Sequence, residues 1–473
     1  MDVVFVIPPS TYSDQLDYSE RKGMPLGPLH LAAHAIKNGY SADIIQESID
    51  QSIQRLKEVV TNETVIGIST MSGFQLGNGI KLAVKIKSLF PNNLIVWGGA
   101  HPTALPEQTI KSGLADLVVW GEGEVSLLSI LRNRHTRLFD NIQGICYKNG
   151  DQIILTDRQP YTDIFSSPPL PYYMLNMDHY ARKMIIGFNR CYSIMTSRGC
   201  PFYCKFCSNA SSFWPNRKMR YHSNEFVLHD IAELVTKYNA DGITIADENF
   251  VINFKRVRSL LESIQREFPG LGLRISARAD ILSRLDDRDL KFMRSHGIVG
   301  ISVGIESGSE KMLERMGKGT TLAQIYKCDA NLSRHGFYKT YNFMTMMPEE
   351  TKDDLRKTLA LIGHLARNSK YTPYPFGALS YYIPLPNTEM FKMAIENGFS
   401  QPTDIFGWST FDTINPEKTL NIVRPWLTSD LARVTVQASD LIIRLNELFT
   451  GNDCDKDGID LGIHELEQFA SSI

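Results

Sequence analysis

A chain of 473 residues with 50 Lys and Arg against 52 Asp and Glu carries a formal net charge of −2, so no excess positive field exists to hold nucleic acid or an anionic membrane surface. A hydrophobic content of 43% and a charged content of 22% exclude a disordered chain and predict about three domains at roughly 150 residues each. Seven cysteines are too sparse for a disulfide scaffold and leave the thiols to be ligands, catalysts or core filler.

No apolar run is long enough to span a bilayer, and the start of the chain has an acid, no basic region and too short an apolar stretch for a signal peptide. A cytoplasmic protein acting on small molecules is the expectation. In chain order, apolar runs at 3–7, 42–45, 64–69, 94–97 and 116–120 predict strands, and amphipathic stretches at 29–37, 51–60, 78–89 and 106–111 predict helices. Gly39 sits where a helix-ending glycine belongs. Five nearly continuous apolar strands joined by helices imply a parallel sheet buried on both faces. Ligands of such sheets lie at the carboxyl ends of the strands. The segments there are Pro8-Pro9-Ser10, Ser69-Thr70-Met71-Ser72-Gly73, Gly98-Gly99-Ala100-His101-Pro102 and Gly121-Glu122-Gly123-Glu124. All are small or glycine-rich, which lets a large ligand approach the backbone. An Asn149-Gly150 hairpin closes this first domain, residues 1–156, and a linker rich in proline and tyrosine follows at 157–190.

Alternation resumes with strands expected at 192–196, 242–246, 273–277, 300–304, 339–345 and 378–383, separated by helices at 225–238, 254–268, 288–296, 322–334 and 353–367. Six such units over 191–389 make a partial (β/α) barrel, whose chemistry gathers at the C-terminal strand ends. Residues 390–473 read as a mainly helical cap, clearest at 429–448. The fold class is therefore α/β: a flavodoxin- or Rossmann-like parallel sheet, a partial (β/α)6 TIM-like barrel, then a helical C-terminal domain.

At the end of the first barrel strand the chain runs Arg198-Gly199-Cys200-Pro201-Phe202-Tyr203-Cys204-Lys205-Phe206-Cys207. The CxxxCxxC spacing can present three thiolates to one soft metal centre. A closed zinc site wants a fourth ligand, and His222 lies outside a ribbon-like spacing. A three-cysteine [4Fe–4S] cluster leaves one iron open; three cysteines as core filler is the bland alternative.

With an aromatic before its third cysteine, this motif at the first strand of a partial barrel resembles the radical SAM superfamily. The resemblance implies that Cys200, Cys204 and Cys207 bind a [4Fe–4S] cluster whose open iron chelates S-adenosylmethionine, and that Phe206 lies against the adenine. Reductive cleavage then yields a 5′-deoxyadenosyl radical that removes a substrate hydrogen. It further implies that Asp247 and Glu248, in Asp247-Glu248-Asn249-Phe250, accept the methionyl ammonium, that Arg278 pairs with its carboxylate, and that Glu306 contacts ribose and methionine. Each charge alone also reads as a barrel-end salt bridge. The stretches Met347-Pro348-Glu349-Glu350-Thr351 and Pro384-Leu385-Pro386-Asn387-Thr388 resemble the loops after strands five and six, though Met347 and Glu349 depart from the usual wording.

The preceding sheet resembles the cobalamin-binding domain of cobalamin-dependent radical SAM enzymes, through its strand-end segments and Pro25-Leu26-Gly27-Pro28-Leu29-His30-Leu31-Ala32. Cobalamin contacts are then expected from Pro8, Ser69, Thr70, Met71, Gly73, Gly98, Gly99, His101, Gly121, Glu122, Gly123 and Glu124. The Asp-x-His-x-x-Gly signature is absent, which predicts cobalt without a histidine ligand from that motif. Together the resemblances imply a class B-like methyltransferase that passes a methyl group from methylcobalamin to an unactivated carbon of a small natural-product or lipid-like substrate. An electron donor such as flavodoxin or ferredoxin is implied as partner; the oligomeric state is left open. Competing readings are a cobalamin-containing radical cyclase, ring-rearranging or oxidative enzyme, and a non-catalytic corrinoid- or zinc-binding protein.

Cys146, Cys191, Cys328 and Cys454 lack ligand spacing and are expected as filler, and His30 and His34 as packing or surface residues. The turn Asp453-Cys454-Asp455-Lys456-Asp457-Gly458 starts like an EF-hand but has His464 at position twelve, so a solvated acidic turn is expected. Tyr371, Tyr374, Phe376, Tyr381, Tyr382, Phe406, Trp408, Phe411 and Trp426 either line a substrate pocket or pack the barrel wall.

Overall fold

The computed structural model describes residues 1–10, 23–183, 187–210, 218–369, 372, 375–411, 424–449 and 456–473. Two units emerge from it, Met1–Tyr180 with Gln401–Ile414, and Ala181–Ser400 with Asn415–Ile473.

In the first unit β1 (Val3–Val6), β2 (Ala42–Ile45), β3 (Val65–Ser69), β4 (Ile95–Gly98) and β5 (Leu117–Val119) are parallel, and β6 (Ile145–Asn149) and β7 (Gln152–Leu155) add antiparallel at one edge, in the order β2-β1-β3-β4-β5-β6-β7. Every residue of β1 is buried, as continuous apolar strands require when helices cover both faces. Order reverses between β1 and β3, the switch point at whose carboxyl ends ligands of such sheets bind. Helices Leu26–Lys37, Ile49–Val59, Phe74–Leu89 and Pro106–Lys111 stand where apolar periodicity places them. Ser48 starts the second with a capping box to Gln51, and Gly39, at φ +84°, follows the first. Helices Ala100–Ala104 and Glu124–Asn133 were hidden in sequence by the glycine-rich segments from which they start.

A short helix, Ile405–Ser409, also belongs to this unit. The Gly73 N–H donates to the Trp408 carbonyl at 3.3 Å, Trp408 Nε1 donates to Gln108 Oε1 at 3.0 Å, and Gln108 Nε2 donates to the Pro402 carbonyl at 3.3 Å. No local pattern in residues 390–411 signals that this stretch returns to a sheet some 300 positions earlier in the chain.

The second unit is built on β8 (Cys191–Ile194), a two-residue antiparallel pair of β9 (Ser197–Arg198) with β10 (Arg220–Tyr221), and then β11 (Gly242–Ile245), β12 (Gly272–Arg278), β13 (Ile298–Glu306), β14 (Tyr338–Thr345) and β15 (Phe376–Tyr381). Its main sheet runs β15-β14-β13-β12-β11-β8, parallel throughout, which is the strand succession of a partial barrel. Helices Asn224–Tyr238, Phe254–Glu267, Asp287–Ser295, Leu322–Arg334 and Lys352–Arg367 connect the strands. Behind β14, buried Asp329 accepts from Lys339 Nζ at 2.8 Å, Tyr341 Oη at 2.6 Å and Asn368 Nδ2 at 2.7 Å. Such a charge pair is tolerated in a core because its oxygens are satisfied. Helices Ser429–Leu448 and Lys456–Ser472 pack beside Lys352–Arg367, with Arg367 paired to Glu467 at 2.7 Å.

Cys146, Cys191 and Cys328 are buried, as is His30, while His34 is half-buried. Cys454, with the first part of its acidic turn, and Tyr371 and Tyr374 fall outside the described residues. The aromatic set divides between the units. Trp408 stacks on Phe411 with centroids 4.9 Å apart in the first, whereas Tyr382 and Trp426 meet at 6.1 Å in the second. Among the described residues no helix is long and apolar enough to cross a membrane.

Candidate active site

In the second unit the candidate residues stand at or just beyond strand ends. Asp247, just past β11, is 2% exposed. Its Oδ1 accepts the N–H groups of Thr196 at 2.6 Å and Ser197 at 3.0 Å, and its Oδ2 accepts both their hydroxyls at 2.6 Å. Four donors thus occupy this carboxylate, which clamps the chain where it leaves β8. Arg256 Nη2 adds a bond to the Thr196 carbonyl at 2.8 Å.

Beyond the clamp comes Gly199 at φ +96°, where an added Cβ would stand 2.9 Å from the Lys218 carbonyl oxygen; only glycine lets the loop turn there. The cysteine loop is pinned from two sides. Lys205 N–H donates to the Met316 carbonyl at 2.8 Å, and Met390 N–H donates to the Lys205 carbonyl at 2.9 Å. Within it, Cys207 N–H bonds back to the Cys204 carbonyl at 3.0 Å. Cys204 is buried, and Cys200 and Cys207 are half-buried.

Burial pushes the Cys207 thiol up to about 11, with Glu248, Cys204 and Cys200 adding to the rise. Burial likewise raises Cys200, with Glu248 and Cys204 contributing. Cys200 and Cys207 are thus held towards the neutral thiol, mainly by burial, and a cationic core bound at the loop would reverse that effect. Among the described residues no three His, Cys, Asp or Glu side chains are arranged to hold a single metal ion. Soft thiolate donors of this number fit an iron–sulfur core.

Glu248 itself is exposed, unlike its neighbour Asp247. Asn249, next in chain, is fully buried and neither amide atom has a hydrogen-bond partner among the described residues, an arrangement that calls for an explanation such as a bound ligand. Arg278, ending β12, donates from Nε to Asp280 at 2.8 Å and from Nη1 to Cys204 Sγ at 3.2 Å. Glu306, ending β13, adopts φ +72°, a strained setting for a side chain of this kind, and accepts from Lys318 Nζ at 2.6 Å. Lys318 Nζ also lies 6.0 Å from the centre of the half-buried Phe206 ring. Met346 and Glu349 after β14 and Asn387 after β15 share the left-handed conformation, so three successive strand ends carry the backbone strain typical of functional rims. In the β14 loop Glu350 accepts from Thr345 Oγ1 at 3.1 Å and from Met347 N–H at 3.1 Å, and burial pushes its carboxyl up to about 7. Lys318 and Asp280 escaped the sequence reading, and Asn249 entered it only as a member of the Asp247–Phe250 stretch, because single polar residues in loops carry no periodic signal.

At the strand ends of the first unit, Thr70 N–H donates to the Gly98 carbonyl at 3.0 Å and His101 N–H to the Thr70 carbonyl at 3.2 Å. An added Cβ on Gly99, at φ +96°, would stand 2.7 Å from the Thr70 carbonyl oxygen. Ser72 Oγ bonds His101 Nδ1 at 2.8 Å, and Trp408 meets the imidazole edge-on at 6.2 Å. His101 Nε2 and Thr70 Oγ1 are buried without partners among the described residues, and burial lowers the imidazole to about 4, keeping it neutral. Gln75 Nε2 and Asn78 Nδ2 donate to the Pro8 and Pro9 carbonyls at 3.3 and 3.0 Å. Met71 is 56% exposed. Gly73 starts the long helix Phe74–Leu89, and Gly121 N–H donates to Thr103 Oγ1 at 3.1 Å. Orphaned buried atoms beside open glycine turns and ordered backbone are what a large polar-edged cofactor would satisfy. Glu122 and Glu124, flanking Gly123, have other partners: they accept from Thr162 N–H at 2.9 Å and Thr162 Oγ1 at 3.3 Å, tying the linker to the sheet.

Residues 194–362 match the model of the Radical SAM superfamily, and residues 16–131 match that of the B12 binding domain. An uncharacterized methyltransferase of Pyrococcus horikoshii is 27% identical over 427 residues, covering 88% of this chain and 87% of that protein. An anaerobic magnesium-protoporphyrin IX monomethyl ester cyclase of Cereibacter sphaeroides is 29% identical over 351 residues, covering 71% of this chain and 55% of that one. The chain thus spans most of the first relative and about half of the second. Among solved structures, the cobalamin-dependent S-adenosylmethionine radical enzyme OxsB, with aqua-cobalamin and S-adenosylmethionine bound, superimposes with a TM-score of 0.74 at 18% identity, covering 99% of this chain and 72% of that one.

Proposed function

This chain is a cobalamin-dependent radical SAM enzyme, with a [4Fe–4S] cluster, S-adenosylmethionine and cobalamin as cofactors, and from that premise we propose that it transfers a methyl group to an unactivated carbon of a small natural-product or lipid-like molecule. The observation that carries the reading is a methyltransferase relative matched across both modules, over 88% of this chain. When bound, the cofactors supply the radical and methyl chemistry, and the protein supplies binding, orientation and electrostatics.

Cys200, Cys204 and Cys207 hold the cluster, on the strength of their spacing and mutual proximity. Glu248 takes the methionyl ammonium: it is exposed and near the thiols, whereas Asp247 is consumed by Thr196 and Ser197. Asn249, with its amide unmet among the described residues, is the polar group next to it in the chain. Glu306, steadied by Lys318, serves the ribose and methionine, and Phe206 lies against the adenine. In the first unit Pro8, Ser69–Gly73, Gly98–His101, Gly121 and Gly123 cradle the corrin. Glu122 and Glu124 fasten the linker instead. A low-potential one-electron donor such as flavodoxin or ferredoxin completes the system.

Product analysis tests the proposal. Anaerobically reconstituted enzyme with reductant and candidate substrates should release S-adenosylhomocysteine and 5′-deoxyadenosine together. Release of 5′-deoxyadenosine without matched S-adenosylhomocysteine refutes methyl transfer and favours the ring-closing chemistry named for the cyclase relative. Cys200→Ala should abolish 5′-deoxyadenosine release, because the reductant then has no cluster through which to cleave S-adenosylmethionine.

A further inference from the structure

The Arg278 guanidinium is 7% exposed and almost fully committed. Its Nε donates to Asp280 Oδ1 at 2.8 Å, its Nη2 donates to the Lys318 carbonyl and to Thr320 Oγ1, and its Nη1 donates to Cys204 Sγ at 3.2 Å. Beneath it the Phe202 ring centre lies 3.9 Å from Cζ. Asp280, 2% exposed, is held in turn by Thr320 Oγ1 at 3.3 Å. A rigid planar fork gripped on three sides loses little entropy in making its remaining bond. The acceptor is equally fixed, since Cys204 is the buried thiol of the three and the neighbouring Lys205 backbone is pinned at both its N–H and its carbonyl.

We propose that Arg278 is a positioning residue for the iron–sulfur cluster, donating a charge-assisted hydrogen bond to the Cys204 sulfur and thereby raising the cluster's reduction potential. Its main service is to that sulfur and not to the carboxylate of S-adenosylmethionine. A cationic donor on a cluster sulfur stabilises the form with the extra electron, and hydrogen bonds to the sulfurs are among the levers that set such potentials. The electron comes singly from the low-potential donor protein, and no bond forms or breaks in that step. Low local dielectric strengthens the bond. The inference rests on the assignment of the cluster to Cys200, Cys204 and Cys207.

The test compares the full-length wild type, Arg278→Met and Arg278→Lys, each reconstituted anaerobically without S-adenosylmethionine and poised with viologen mediators. Iron content and the electron paramagnetic resonance signal of the reduced cluster are read, followed by calorimetric titration with S-adenosylmethionine. Arg278→Lys retains a cation beside Asp280 but cannot reach Asp280 and Cys204 together, so it keeps the proposal testable if Arg278→Met does not fold. The expected result is retained iron and, at fixed poise, a ratio of reduced to oxidised cluster lowered about tenfold, which is about 59 mV for a one-electron couple. An unchanged ratio in Arg278→Lys with tenfold weaker S-adenosylmethionine binding overturns the proposal in favour of the carboxylate, and an unchanged ratio with unchanged binding overturns it outright. Iron loss in both variants overturns it in favour of a structural role. A wild type that takes up no cluster, or a Cys204→Ala variant that retains its full cluster, strikes the underlying cysteine assignment instead.

Discussion

Replacing Asp247 with alanine separates a clamp from a ligand. The carboxylate satisfies two buried backbone N–H groups and two hydroxyls at the exit of β8. The hydroxyls can rotate to other partners; the N–H groups cannot. A buried unsatisfied donor costs about 1–3 kcal/mol, so Asp247→Ala should open the Thr196–Ser197 turn by about 4 kcal/mol. That corresponds to roughly thousandfold faster amide exchange at these two residues, if they exchange by local opening. Hydrogen exchange resolved over residues 191–210, on anaerobic protein before and after reconstitution, measures it. Cluster uptake should fall with the protection, because the cysteine loop starts directly after the clamp. Asp247→Asn, which keeps one oxygen for both N–H groups, should cost only about 1 kcal/mol. Protection unchanged within about fivefold, together with weakened S-adenosylmethionine binding, would refute this reasoning and return Asp247 to the ammonium site.

Three further outcomes are expected. Glu350 has a folded-state pKa of about 7, raised from 4.5 by burial, so its contribution to stability is complete below about pH 4.5 and is lost as pH rises through 7. The second unit's denaturation midpoint should therefore drop between pH 5.5 and 8.5 by an amount worth about 2 kcal/mol, and Glu350→Gln should flatten that dependence. Trp408→Ala should destabilise the first unit by about 3–5 kcal/mol through the lost buried ring. It should also let the His101 pKa climb from about 4 towards the ordinary histidine value, as nuclear magnetic resonance titration of its ring protons would record; an unmoved pKa disproves Trp408 as its cover. Gly99→Ala, forced to φ +96° with its Cβ against the Thr70 backbone, should lower the first unit's thermal midpoint and cobalamin binding by more than Gly113→Ala, a control at φ +73° with nothing within 4 Å.

Much of the architecture was legible because the signals are local. Runs of consecutive apolar residues mark β1–β5 and the six barrel strands wherever burial on both faces leaves no polar alternation to confuse them. What was missed lay at element ends and in short pieces: the two helices that start in glycine-rich turns, the short helices Ala279–Leu282 and Glu310–Arg315, the β9–β10 pair, and the return of residues 401–411 to the first unit. The CxxxCxxC loop is legible for the same reason: three thiols within eight residues are brought near one another by the chain itself, whatever surrounds them.

Partner choice among charged residues was not legible. Asp247 and Glu248 are adjacent and chemically alike, yet one is buried under four donors and the other exposed. Arg278 is committed to Asp280 and Cys204, and Glu306 to Lys318. Trp408, which reads as part of a terminal cap, closes over His101 in the first unit. The decisive contacts join residues separated by 51, 74 and 300 positions. Sequence by itself determined the thiol spacing, the order of strands and helices, and the near-zero net charge that leaves cofactor binding to local contacts. Tertiary structure alone decided which carboxylate is exposed and which cation meets which sulfur, because a hydrogen bond depends on distance and burial in space, and the chain carries neither until it has folded.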